Sequence, residues 1–142
     1  MEENSVRGVG IATVLIIALA SPGFIDAGLA RRQYCEGDYR KVFYTSGLAV
    51  HDVGAIVFHS DSIGGTIVGR IEAEVYGHTI EINVWINRDR DGTHRFQQMW
   101  VMVKAEFRKL KDPDEEQLEQ LEIIENHVFG FIASRTSCTA PQ

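Results

Sequence analysis

Three stretches of the chain alternate apolar and polar residues with a period of two, the pattern of strands that bury one face. They are Thr66–Tyr76, Thr79–Asn87 and His94–Phe107. Two earlier apolar runs, Lys41–Val50 and Val53–His59, are rich in β-branched and aromatic residues and are predicted as two more strands. We therefore expect an antiparallel β-sheet of about five strands, either open or barrel-like.

The pattern changes to helical spacing after Asp112. Pro113 suits the first position of a helix, and the acidic residues after it suit the positive end of the helix dipole. Apolar residues then recur at helical intervals as far as Ile132. The spacing predicts one C-terminal amphipathic helix from about Pro113 to about Ser134, which closes the sheet. The predicted fold class is α+β.

Two predicted hairpins determine which residues share a face of the sheet. Gly77-His78 suits a two-residue turn with glycine first. With this turn and a polar loop before the last strand, Trp85 is expected opposite Arg70 and Phe96. Both registers place the aliphatic side chains on one face, because side chains alternate along a strand. This predicted core consists of Ile71, Ala73, Val75, Ile80, Ile82, Val84, Met99, Val101 and Val103.

The opposite face of the predicted sheet combines aromatic rings with carboxylates and amides. Rings that stack on a flat ligand, with hydrogen-bonding groups beside them, suit a small polar molecule such as a carbohydrate. The alternative is an ordinary solvated face, in which Arg70 stacks on Trp85. The candidate ligand-binding residues are Glu74, Tyr76, Glu81, Asn83, Trp85, Gln98 and Trp100.

Glu74 and Glu81 are expected directly opposite each other, where like charges destabilise a sheet. In a dry site two such carboxyl groups share a proton, and the protonated one can act as a general acid. An enzymatic alternative, a small hydrolase or isomerase, therefore depends on Glu74 and Glu81 with Glu72 in support. We assign no catalytic residue outside that alternative.

A weak calcium motif follows the second of the alternating strands. Asn87, Asp89 and Asp91 offer oxygen ligands at alternate positions, as in the first half of a calcium loop. Gln98 stands where such a loop needs a bidentate glutamate, and two arginines dilute the negative charge. A polar hairpin turn is the favoured interpretation, so we predict no metal site and no cofactor.

The N-terminal segment predicts export. Gly8–Ile25 carries no charge, and Pro22-Gly23 interrupts the apolar run before a stretch of small residues. This order is typical of a signal peptide, and we predict cleavage after Ala30, with Ala20 as the alternative position. The predicted location is secreted or periplasmic.

An uncleaved single-pass membrane anchor over residues 8–25 is the alternative, although that segment is at the short limit for a spanning helix. The predicted organisation is therefore a signal peptide over residues 1–30 and one small domain over residues 31–142. A membrane association is expected only if residues 8–25 are retained.

The two cysteines, Cys35 and Cys138, lie near the two ends of the predicted domain. In an oxidising compartment such a pair predicts a disulfide bond. The loop-entropy model gives about 4–5 kcal/mol of stabilisation for a loop of roughly one hundred residues. Two free buried thiols are the alternative, which a cytosolic location would favour.

The formal net charge is −6, and lysine and arginine form no cluster. This argues against nucleic acid and against anionic membrane surfaces, which attract basic proteins. The expected partner is a small polar molecule or another protein. The predicted function is an exported binding protein for a small polar ligand, and the alternative is a structural or protein-interaction subunit.

We predict that the exported protein begins near Arg31 and carries a Cys35–Cys138 bond. Intact-mass measurement of the exported material, with and without reduction and alkylation, checks both statements. Retention of residues 1–30, or two thiols that alkylate without reductant, would contradict the prediction.

Overall fold

The structure is a computed structural model that describes residues 31–72, 77–88 and 96–141. The predicted signal peptide or anchor lies outside the described residues. The elements follow in the order β1 (Arg32–Asp38), α1 (Tyr39–Asp52), β2 (Ile56–Asp61), β3 (Thr66–Ile71), β4 (Ile80–Arg88), β5 (Phe96–Phe107) and α2 (Glu115–Arg135).

The five strands form one antiparallel sheet in the order β1-β5-β4-β3-β2. The predicted α+β class, the number of strands in the sheet and the C-terminal helix on the sheet are confirmed. The sheet is open and not closed into a barrel, because β1 and β2 lie at its two ends without pairing with each other. The chain also has a second helix, α1, which the prediction lacked.

Helix α1 replaces the strand predicted over Lys41–Val50. Asp38 caps the helix, since its side chain accepts a hydrogen bond of 3.0 Å from the backbone N–H of Arg40. The prediction was wrong because it gave more weight to β-branched and aromatic content than to periodicity. The buried residues are separated by three or four positions, as one helix face requires: Tyr39, Val42, Thr45, Ser46, Ala49 and Val50.

Strand β1, which the prediction also lacked, pairs with β5 on one side. On its other side the C-terminal tail adds two backbone hydrogen bonds, Glu36 N–H to the Ser137 carbonyl at 3.0 Å and Thr139 N–H to the Tyr34 carbonyl at 2.9 Å. The tail therefore covers the outer edge of β1 as a short additional strand would.

The predicted disulfide between Cys35 and Cys138 is present and joins β1 to this tail. Beside it, the buried side chain of Gln33 donates hydrogen bonds to the carbonyls of Phe129 at 3.1 Å and Thr139 at 2.8 Å. One covalent bond and one buried amide thus tie the start of the domain to its end.

Helix α2 begins at Glu115, two residues later than the predicted start at Pro113, with a capping box between Asp114 and Gln117. Further along the helix, the Glu125 carboxylate accepts a hydrogen bond of 2.8 Å from the Ala105 N–H of β5. Desolvation raises the pKa of Glu125, although the Ala105 hydrogen bond and the Arg31 charge oppose the shift. A raised pKa in the folded state adds stability at low pH, and this is lost as the pH rises through that value.

The core lies between the two helices and one face of the sheet, which we call the inner face. Every described member of the predicted core is buried, and Ala73 and Val75 lie outside the described residues. The buried inner-face set is Ile67, Ile71, Ile80, Ile82, Val84, Ile86, Met99, Val101, Val103, Ala105 and Phe107.

Both predicted hairpin registers are wrong, although the predicted faces are right. Ile71 pairs with Ile80, so the β3–β4 connection spans residues 72–79 and not the two residues Gly77-His78. Trp85 lies opposite Thr66 and Met102 instead of Arg70 and Phe96. The faces are preserved because both errors are shifts by an even number of residues, which leave each side chain on its own side.

Gly65 sits in the turn before β3 at a point where the backbone comes close to β4. Its φ is +76°, and its carbonyl accepts a hydrogen bond of 2.7 Å from Ile86 N–H. A Cβ atom at this position would lie 2.5 Å from the Ile86 carbonyl oxygen. Both the positive φ and the lack of space therefore require glycine here.

We expect Gly65→Ala to destabilise the domain by more than about 1 kcal/mol, because it adds a clash to an unfavourable φ. Gly130→Ala is the matched control: Gly130 is exposed inside α2 with nothing near its Cβ position. Alanine there should stabilise by about 0.5–1 kcal/mol. Urea midpoints of the two variants give the comparison, and a Gly65→Ala protein as stable as wild type would contradict it.

Candidate functional site

The face of the sheet turned away from α1 and α2 is called the outer face here. The buried residues of both helices belong to one core with the inner face, so neither described helix covers the outer face. Its side chains alternate with core residues along four strands, from Arg32 to Glu36 in β1, Gln98 to Glu106 in β5, Glu81 to Asn87 in β4 and Thr66 to Arg70 in β3.

The two tryptophans of the chain are diagonal neighbours on the outer face. Trp85 pairs with Met102 and Trp100 pairs with Asn87 across the same two strands. Residues in this diagonal relation are about 7–8 Å apart. The corrected register therefore brings the two rings one row closer than the sequence predicted.

Trp100 is packed by two residues of β1. Its ring centroid lies 5.1 Å from that of Tyr34, with the planes tilted by 60°. The guanidinium of Arg32 lies 4.9 Å from the same indole centroid, within the range of a cation–π interaction. Among the described residues, the half-buried ring of Trp85 makes no such aromatic or cation–π contact.

Tyr34 also contributes a polar group to the outer face. Its hydroxyl donates a hydrogen bond of 3.0 Å to the Glu36 carboxylate. Desolvation raises the pKa of Tyr34, and the hydrogen bond and charge of Glu36 raise it further. The hydroxyl therefore stays protonated across neutral pH and acts as a donor.

Glu81 does not face Glu74, so the predicted cross-strand repulsion is wrong. Its partner in β3 is Arg70, and its carboxylate lies 3.3 Å from Arg70 Nε and 3.8 Å from Arg108 Nε. The Arg70 guanidinium lies 4.0 Å from the ring centroid of Phe58 and does not stack on Trp85. The carboxylate of Glu81 is thus compensated by two arginines, although the exposed Glu106 is its cross-strand neighbour in β5.

The other predicted site residues are more dispersed. Asn83 lies on the outer face beside Glu81, at 3.4 Å from its carboxylate, whereas Gln98 is exposed and faces Glu36. Glu72 is exposed just after β3. The remaining predicted residues Glu74, Tyr76, Asp89 and Asp91 lie outside the described residues.

The calcium motif is only partly described, because Asn87 is exposed at the end of β4 and both aspartates lie outside the described residues. In the part of the chain that the structure describes, no group of three histidine, cysteine or acidic side chains is placed to hold a metal ion.

Sequence analysis missed the contribution of β1 to the outer face. Arg32, Tyr34 and Glu36 point outward, and Gln33 and Cys35 between them are buried. The period-two alternation of these residues was the available signal. This alternation was not predicted as a strand because the segment is short and directly follows the predicted signal peptide.

Comparison with protein-family models gives no match to this chain, and comparison with curated proteins gives none either. Neither helix within residues 31–72, 77–88 and 96–141 is long and apolar enough to span a membrane.

We expect Glu81→Gln to destabilise the domain by about 0.5–1 kcal/mol at low salt, because it removes the partner of two partly exposed arginines. Glu106→Gln is the matched control, since Glu106 lies opposite Glu81 and is exposed. Loss of the Glu106 charge should leave the stability unchanged or raise it slightly, because it removes the repulsion between Glu106 and Glu81. Denaturant midpoints at low and high salt measure both effects, and a stabilising Glu81→Gln would contradict the ion-pair account.

Proposed function

We propose that this protein is an exported binding protein that holds a small polar ligand, a carbohydrate, on the outer face of its sheet. The observation that carries the proposal is the pair of neighbouring tryptophans on a face that neither described helix covers. A half-buried indole without an aromatic or cation–π partner among the described residues would provide a stacking platform for a sugar ring.

Polar groups surround this platform on the same face. Asn83 and Asn87 flank Trp85 along β4, and the Tyr34 hydroxyl lies in the row of Trp100. Amides and hydroxyls offer both donors and acceptors, which match the hydroxyl groups of a sugar. An apolar ring beside such groups suits a ligand with a flat apolar side and a polar rim.

The disulfide supports the exported part of the proposal. Disulfides persist in oxidising compartments outside the cytosol. The Cys35–Cys138 bond is partly buried and connects the two ends of the domain, which is a structural role. Secretion or a periplasmic location is therefore proposed, with the membrane-anchored form as the alternative if residues 8–25 are retained.

A protein-interaction subunit is the second candidate function, and the edge strand β2 favours it. Ile56 is 62% exposed and Phe58 is 50% exposed on this strand. Exposed apolar residues on an edge strand are a template for another chain. The bulge between Val57 and His59 interrupts this edge, however, and limits its pairing.

We expect Trp85→Ala to weaken carbohydrate binding by about 1–3 kcal/mol, the value of a well-packed aromatic anchor. Its cost to the melting temperature should be smaller than that of Ile82→Ala, because removal of a core side chain costs about 2–5 kcal/mol. Tryptophan fluorescence against a glycan panel, with Trp100 as the remaining reporter in the variant, measures binding.

Tyr44→Ala is the matched control, because Tyr44 is an aromatic residue 68% exposed on α1. It should leave both binding and stability unchanged. If no glycan alters the fluorescence of wild type, or if Trp85→Ala destabilises as much as Ile82→Ala, the outer face serves packing and the proposal fails.

A further inference from the structure

The cations on and beside the outer face differ in whether a carboxylate balances them. Arg70 and Arg108 both lie against Glu81. Lys104 lies opposite Asn83, one row nearer to Glu81 than Met102 is. Arg32 is exposed and makes no ion pair with any described residue. Among the described residues the charge of Arg32 therefore has no acidic partner, and the guanidinium lies beside Trp100.

Arg32 is held in place although it has no acidic partner. Its guanidinium lies 4.9 Å from the centroid of the Trp100 ring. A guanidinium that contacts an aromatic ring keeps N–H donors free to bind a carboxylate in a bidentate manner. Trp100 thus acts as a support for Arg32, whereas the ring of Trp85 makes no aromatic or cation–π contact with a described residue.

The register places Arg32 and Trp85 in the same row of the sheet with Met102 between them. Two spacings between neighbouring strands separate their Cα atoms by about 9–10 Å. A sugar ring over Met102 can stack on Trp85 and direct an exocyclic group toward Arg32. The position of the cation therefore matches one edge of the proposed ligand.

The nearest acid on β1 is at a distance from this position. Glu36 is four residues from Arg32 along the strand, roughly 13 Å by strand geometry, and it accepts the hydrogen bond from Tyr34. The whole chain has a net charge of −6, which repels anions at long range. A local cation is therefore needed to bind an anionic ligand here, and Arg32 meets that need.

We propose that the ligand of the outer face is an acidic sugar of the uronic acid class, with its carboxylate bound by Arg32 and its ring stacked on Trp85. This inference rests on the proposed carbohydrate-binding function and specifies its ligand. Arg32 determines the preference for the acid, and Trp85 provides affinity for the ring in both acidic and neutral forms.

The test uses a panel of uronic acid oligosaccharides, each as the free acid and as its methyl ester, titrated by tryptophan fluorescence. Wild type should bind the free acids about tenfold or more tightly than the esters, the size of a hydrogen bond to a charged group. Arg32→Gln should bind both forms with the affinity that wild type has for the ester. Trp85→Ala should weaken both forms equally.

Arg40→Gln is the matched control, since Arg40 is exposed at the start of α1, and it should keep the wild-type preference. Arg32→Lys, which retains the charge, should keep part of the preference, and melting temperatures establish that each variant is folded. Equal binding of acid and ester by wild type, or an unchanged preference in Arg32→Gln, overturns the acidic ligand and leaves the carbohydrate function intact. If neither form alters the fluorescence, both proposals fail.

Discussion

The covalent bond between Cys35 and Cys138 connects the first strand of the domain to the segment after the last helix. Strand β1 is far in sequence from β5, with which it pairs, so its position depends on contacts formed at the opposite end of the chain. The disulfide and the Gln33 hydrogen bonds to Phe129 and Thr139 supply those contacts. The outer face depends on the same strand, because Tyr34 and Arg32 of β1 pack on Trp100.

The alternation of side chains along the strands is the second constraint, and it separates the two faces chemically. Inner-face positions of β4 from Ile80 to Ile86 are isoleucine or valine, and outer-face positions are polar or aromatic. Within the outer face, the charged residues differ in their neighbours across the strands. Glu81 lies between two arginines at one end, whereas the tryptophans and Arg32 lie toward the other.

An open sheet with one solvated face gives a ligand a flat surface whose side chains are fixed by the strands. Strand geometry holds Trp85 and Met102 in one row, and no loop has to close for them to be adjacent. The packing of Trp100 against Tyr34 and Arg32 further restricts the rotamers on this side of the face. Such preorganisation lowers the conformational entropy lost on binding, which is the condition for an exposed face to bind a small ligand.

The sequence by itself determined the α+β class, the cysteine pair and the two faces of β3, β4 and β5, since each follows from periodicity or from residue type. It did not determine α1, because β-branched residues such as Val42 are compatible with a helix when their spacing buries one face. The sequence also did not determine the hairpin registers. Shifts by an even number of residues preserve the hydrophobic pattern, so only packing across the strands distinguishes one register from another. The partner of Glu81 is therefore determined by the tertiary structure. The position of β1 beside Trp100 is determined in the same way, because β5 and the C-terminal tail hold this strand across a long sequence separation.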